Sequence, residues 1–121
     1  MTETGNLTTR PVWNAERDGC QIGEIAIDRI VDLQHIPFAA DLIYPDATPD
    51  ILDELASRLD KIHFGERNTE LCLSFHSYLV RTASHIILVD LCCGNNKNRP
   101  TRPHWHQRSG PFLENLASAG V

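Results

Sequence analysis

The stretch Ser74–Lys97, SFHSYLVRTASHIILVDLCCGNNK, divides into two apolar segments, a single carboxylate and a Gly-Asn loop. Leu71, Leu73, Phe75 and Leu79 put an apolar side on a predicted strand over Leu71–Arg81. The four residues Thr82 to His85 connect it to Ile86–Leu91, a spacing that predicts an antiparallel hairpin. Ile86-Ile87-Leu88-Val89 is continuously apolar, the pattern of a strand buried on both faces. Asp90 ends that strand. A carboxylate there is costly to bury unless it is hydrogen-bonded or paired, so Asp90 is expected to have partners and to mark a site beside the Gly94 loop.

Working outward toward the N-terminus, Glu24-Ile25-Ala26-Ile27-Asp28 alternates apolar and polar, as a half-buried strand does. Pro37, Pro45 and Pro49 punctuate the next section, so 34–47 is expected to be mostly loop. Thr48-Pro49 is a helix start, a hydroxyl cap followed by Pro in the first turn. Asp50, Asp53 and Glu54 suit the positive end of that helix, and Arg58 and Lys61 suit the other. Ile51, Leu52, Leu55, Ala56 and Leu59 form its apolar stripe, expected to pack on the sheet, and Gly65 follows it. Toward the C-terminus, a loop of about 17 residues from Cys92 to Arg108 is long enough to suggest function. Ser109 or Gly110 caps a last short helix, Pro111 opens it, Phe112, Leu113 and Leu116 form its stripe, and Gly120 closes it. The polar residues 1–20 read as a lead-in to one domain over 21–121.

The chain has 121 residues, 41% of them hydrophobic and 22% charged, which are globular proportions for a single domain. Its formal charge of −5 argues against a general nucleic-acid or anionic-membrane binder. That charge is uneven: residues 91–121 carry 4 Lys/Arg against 1 Asp/Glu, on an otherwise acidic chain. Such a basic loop either greets an anionic ligand or is simply a solvated loop. The residues show no apolar leader and no membrane-length apolar run. Cys20, Cys72, Cys92 and Cys93 lack CxxC spacing and the pattern of a disulfide framework. A reduced, cytoplasmic setting is the expectation.

Among candidate sites, His104-x-His106 offers two imidazoles on one side if extended, but a metal normally needs three or four ligands. His76 and Tyr78 sit two apart on the first hairpin strand and either line a pocket or are core groups with a hydrogen bond each. His35, His63 and His85 read as surface residues. Cys92 and Cys93 are expected to be buried and inert. The chain contains no P-loop, GxGxxG, GxSxG or HExxH motif.

Ser77-Tyr78-Leu79-Val80, then Ile87-Leu88-Val89-Asp90, Gly94-Asn95-Asn96-Lys97, and Phe112-Leu113-Glu114-Asn115-Leu116 through Gly120 form an ordered series. This series resembles the N-terminal region of metallo-β-lactamase-fold hydrolases, in particular the lactonase- and organophosphate-hydrolase-like branch. The likeness covers 70–121 well and 20–69 loosely. It implies an α/β (α+β) chain forming half of an αββα sandwich, with a mostly antiparallel or mixed sheet and flanking helices. It also implies zinc, one or two ions in the intact domain, whose bound hydroxide attacks an ester, lactone, amide or phosphoester. By that resemblance Asp90 is a supporting carboxylate, and Gly94, Asn95 and Lys97 belong to the loop on the substrate side. Leu91 stands where the family usually has Thr. The family's His-x-His-x-Asp-His ligand motif does not occur in this sequence, and His104-Trp105-His106 precedes the last helix and lacks the following Asp-His.

The resulting expectation is an N-terminal fragment of a zinc-dependent hydrolase, truncated before the ligand motif and inactive by itself. No catalytic residue, metal ligand or bound cofactor is assigned to this chain alone. The expected partners are a small-molecule substrate in the intact domain and a homo-oligomer or complementary C-terminal half, with no nucleic acid and no membrane. The rival expectation is a non-catalytic α/β module that binds an anionic ligand or protein partner through the basic loop 97–108, with Lys97, Arg99, Arg102 and Arg108. A small metal or redox protein using His104, His106 and Cys92 is a third.

Overall fold

The computed structural model describes residues 18–121 together with the backbone of Trp13–Asn14. The 1–20 lead-in therefore falls largely outside the described residues. The strands are β1 (Trp13–Asn14), β2 (Gly19–Ile22), β3 (Ile25–Ala39), β4 (Glu70–Arg81) and β5 (Ile86–Val89). The helices are α1 (Ala40–Ile43), α2 (Pro49–Ala56) and α3 (Phe112–Ser118), with a 3-10 turn at Lys61–His63. This is a small α+β fold. The strands form one sheet in the order β1-β2-β3-β4-β5, with β1 contributing only two residues. The described residues separate into two units, those up to Ile30 with His76–Val121, and Val31–Phe75.

In the first unit the β4–β5 hairpin forms as its pattern predicts. Tyr78 pairs with Val89, Leu79 with Leu88, Val80 with Ile87 and Arg81 with Ile86. The turn closes through Thr82 N–H to the His85 carbonyl at 2.9 Å, while the Thr82 hydroxyl accepts the His85 and Ser84 amides. Leu79 and Ser77 are fully buried and Ile30 nearly so. Side chains alternate across a strand, so Ser77, Leu79 and Arg81 share one face, and His76, Tyr78 and Val80 share the other.

One expectation is corrected here. β5 is the outermost strand of the sheet, and Ile86, Ile87 and Val89 are 53%, 47% and 49% exposed rather than buried on both faces. A continuous apolar run has the same pattern whether neighbours cover both its faces or leave it at an edge, so periodicity does not separate the two cases.

In the second unit, Ala40, Leu52 and Phe64 are buried, and Phe38 meets Phe75 edge to face at 6.0 Å. The expected loop at 34–47 is instead the end of β3 followed by α1. His35 adopts a positive φ of 56° within the strand, a local kink of the kind that re-aims a strand, and the chain continues extended through Pro37. Pro37 lacks an N–H but does not end the strand, because proline is tolerated at bulges and where no ladder donor is needed.

α2 begins as its sequence predicts, with the Thr48 hydroxyl accepting Ile51 N–H at 3.4 Å and Pro49 in the first turn. It ends at Ala56, earlier than expected, and Arg58 reaches back to Glu54 at 2.6 Å. Its stripe divides as well: Leu52 is buried, whereas Ile51, Leu55 and Leu59 are 40–48% exposed. The predicted stripe is wider than the face this helix buries. No helix among the described residues is long and apolar enough to cross a membrane.

Candidate functional site

The tip of β5 leads into a loop whose backbone is left-handed at Asp90, Cys92, Gly94 and Asn96, with φ between 55° and 74°. Only Gly adopts this region without cost, though Asp and Asn tolerate it better than most residues. An added Cβ at Gly94 would meet Lys97 only at ordinary contact distance, 3.5 Å, so it is the φ of 74° that favours glycine there. Asp90 stabilises its own turn, its carboxylate accepting Cys92 N–H at 2.7 Å. Asp90 has the partner expected of it, a neighbouring backbone amide, but it is exposed rather than buried. Placing the group at the strand tip, beside solvent, removes the desolvation cost that the sequence argument assumed.

The far side of the loop is held by Asn95. Its side-chain amide donates to the Gly110 carbonyl at 2.8 Å, and its oxygen accepts Gly110 N–H at 3.0 Å. Two backbone bonds run alongside, Asn96 N–H to the Arg108 carbonyl and Gln107 N–H to the Lys97 carbonyl, each 2.8 Å. Arg99 adds a third tie, donating to the Cys93 carbonyl at 2.8 Å. The segment between Asn95 and Gly110 is therefore a closed, cross-braced loop, and Lys97 in it is exposed.

This loop and α3 lie against one face of the sheet. The Ser77 hydroxyl meets the Cys92 sulfur at 3.4 Å. Arg81 donates to the Ala119 carbonyl at the end of α3, and its guanidinium lies 3.9 Å from the Asp28 carboxylate of β3. Sequence reasoning missed Arg81, because an Arg at a strand end carries no local signal for a partner 38 residues away. Cys92 and Cys93 are half-buried rather than buried. His106 Nδ1 accepts Arg99 N–H at 3.0 Å. No group of three or more His, Cys, Asp or Glu side chains is placed to hold a metal ion among the described residues. His35, His63 and His85 are exposed, as expected.

The opposite sheet face carries a small polar group. His76 Nε2 and the Tyr78 hydroxyl are 3.0 Å apart, with the rings edge to face at 4.9 Å. Arg29 Nε donates to both Asp18 carboxylate oxygens at 3.0 and 3.1 Å. Burial, and then the Arg29 charge, lower the His76 pKa from its ordinary value, and Asp18 and Asp90 oppose this. The folded chain resists a proton that the unfolded chain accepts. Stability contributed by neutral His76 is therefore intact above the unfolded value of 6.5 and is lost as pH falls below it. His76→Asn should flatten the thermal stability profile between about pH 5 and pH 7. An unchanged acid slope in that variant counts against the assignment.

Comparison with family models, with curated proteins and with solved structures finds no match for this chain. The fold is a small α+β one: an antiparallel sheet with the braced loop and the end of α3 bonded to one face, and the His76–Tyr78 and Arg29–Asp18 pairs beside part-exposed apolar side chains on the other.

Proposed function

We propose that this chain forms the sheet, supporting carboxylate and substrate-side loop of a metallo-β-lactamase-like hydrolase acting on ester, lactone or phosphoester substrates. The observation that carries the reading is the two-sided dressing of the sheet. Cys92 at the start of the loop meets Ser77, and the Ala119 carbonyl at the end of α3 accepts from Arg81, on the face that Ser77, Leu79 and Arg81 share. The other face presents Tyr78, Ile87 and Val89 at 38%, 47% and 49% exposure. A sheet with the loop and the end of α3 bonded to one side, and part-exposed Tyr78, Ile87 and Val89 on the other, suits packing of that second side against another sheet, as in an αββα sandwich. The ordered motifs of the sequence add to this, with Asp90 at a strand tip and Gly94, Asn95 and Lys97 on the loop that follows it.

The described residues do not make a zinc site, so no hydrolytic step is assigned to them. In this reading the metal ligands belong to a portion that brings the His-x-His-x-Asp-His motif, and this chain supports and shapes the site. Co-expression with the ligand-bearing C-terminal half of a metallo-β-lactamase-fold hydrolase tests it. The expected product is a soluble one-to-one complex that retains zinc through dialysis, while the chain alone retains only substoichiometric zinc. Absence of any complex, or tight stoichiometric zinc on the chain alone that is lost on replacing His104 and His106 by Ala, contradicts it.

One observation favours a second reading, a non-catalytic module for anionic ligands. Lys97 and Arg102 are exposed on the hydrogen-bonded backbone of the braced loop. Saturable binding of inorganic phosphate by the chain alone, abolished by Lys97→Ala with Arg102→Ala, would favour that module.

A further inference from the structure

A cleft of about 480 Å³ lies within the second unit, between the end of α2, the 3-10 turn and the turn that leads into β4. That volume suits a small-molecule site. Its walls are set by short-range bonds. Asp60 holds the 3-10 turn, its carboxylate accepting Ile62 N–H at 3.2 Å and its carbonyl accepting His63 N–H at 3.1 Å. Gly65 N–H donates to the Glu70 carbonyl at 2.9 Å, and a Cβ on Gly65 would come within 2.8 Å of the Glu70 side chain, so a larger residue there would force the turn to shift. Asn68 ties this turn to α2, its side-chain amide donating to the Asp53 carboxylate at 3.0 Å. The cleft is thus built before any ligand arrives.

Its lining combines apolar surface with charges of both signs. Phe64, only 8% exposed, and Ala56 supply the apolar part. Asp53, Glu66 and Lys61 supply two carboxylates and an ammonium, all on exposed residues. Lys61 and Glu66 line the same cleft, yet neither side chain is paired with a described residue. A lone cation entering the cleft is opposed by Lys61, and a lone anion by the two carboxylates. A ligand with one charge of each sign meets both without that opposition. Lys61 and Glu66 are too far apart to pair, so the ligand's own charges must be spaced by an apolar body rather than adjacent.

We infer that this cleft binds a small zwitterion of the dipeptide class, its ammonium toward Glu66, its carboxylate toward Lys61 and its apolar side chains on Phe64 and Ala56. Asp53, already engaged by Asn68, shapes the wall. The inference rests on the second unit alone and is independent of the hydrolase reading, whose residues lie in the first.

Titration of leucyl-alanine into the isotope-labelled full chain, followed by amide NMR shifts, tests it. The expected result is a saturable shift at Asp53 and at the amides of 61–68, with the β4–β5 hairpin unmoved. Lys61→Met and Glu66→Gln, at exposed positions that do not threaten the fold, should each weaken binding about two- to fivefold, the worth of an exposed charge pair. Arg58→Met, which removes an exposed cation paired with Glu54 and not lining the cleft, should leave binding unchanged. Capping the ligand separates the two ends. Acetylating its amino group should weaken binding to the wild-type chain but not to Glu66→Gln. Amidating its carboxylate should weaken binding to the wild-type chain but not to Lys61→Met. No saturable shift up to about 10 mM, beyond the range of a weak specific site, overturns the inference. Shifts centred outside the cleft, capped peptides that bind as well as leucyl-alanine, or an equal loss in Arg58→Met overturn it too.

Discussion

Replacing Leu79 by Ala is expected to destabilise the chain by about 2–5 kcal/mol. The side chain is fully buried on β4, on the face where Ser77 meets Cys92 and Arg81 meets the end of α3. Its truncation removes apolar contact and leaves a cavity that neighbouring strands cannot close without breaking their ladder. Domains of this size hold only about 5–15 kcal/mol in total, so the loss takes a large share of the stability. The neighbouring position Ile86, across from Arg81 and 53% exposed, serves as the contrast. Ile86→Ala should move the urea midpoint by far less, within about 0.5 kcal/mol as for most surface changes. Equal shifts for the two variants would mean that the sheet face assigned as covered is not the core.

Asn95→Ala should open the loop without unfolding the sheet. The substitution deletes both side-chain bonds to Gly110 and leaves that residue's N–H and carbonyl without them in a half-buried position. Such losses cost about 1–3 kcal/mol. Hydrogen exchange at the Gly110 and Asn96 amides should accelerate about 10- to 100-fold, since each 1.4 kcal/mol is a factor of ten. Amides in the middle of β4 should change much less, because their protection reports opening of the sheet rather than of the loop. Asn95→Asp keeps the acceptor for Gly110 N–H and loses the donor, so it should fall between wild type and Asn95→Ala. Uniform acceleration throughout β4 would show that the brace is part of the global fold instead.

Features governed by adjacent residues were legible in the sequence. The Thr48-Pro49 start of α2, the β4–β5 hairpin with its Thr82–His85 turn, and the Gly120 end of α3 all depend on local geometry, and each occurs where its residues place it. α3 begins slightly later than expected, at Phe112, with Pro111 in the cap position and no side-chain cap bond. What sequence missed depends on partners distant in the chain. The Asn95–Gly110 brace spans 15 residues and the Arg81–Ala119 bond 38, and neither has a local signature. The resemblance points to Asn95 as a loop residue but not to its amide holding the loop closed. The position of β5 was misjudged for a related reason: Ile86–Val89 is as apolar as a strand covered on both faces, and what covers a strand is not written in the strand. His35 shows a further limit, since its left-handed φ lets β3 run on past a position where Pro37 suggested a loop.

Hydrolysis by a reconstituted pair tests the central claim most directly. The full chain, co-expressed with a C-terminal half that carries the His-x-His-x-Asp-His motif, is assayed on a lactone, an aryl ester and a phosphotriester, with and without chelator. The account predicts zinc-dependent turnover of at least one substrate by the pair, none by either half alone, and a strong reduction when Asp90 is replaced by Ala. A folded, zinc-loaded pair that hydrolyses none of these substrates, or turnover indifferent to Asp90, would contradict it.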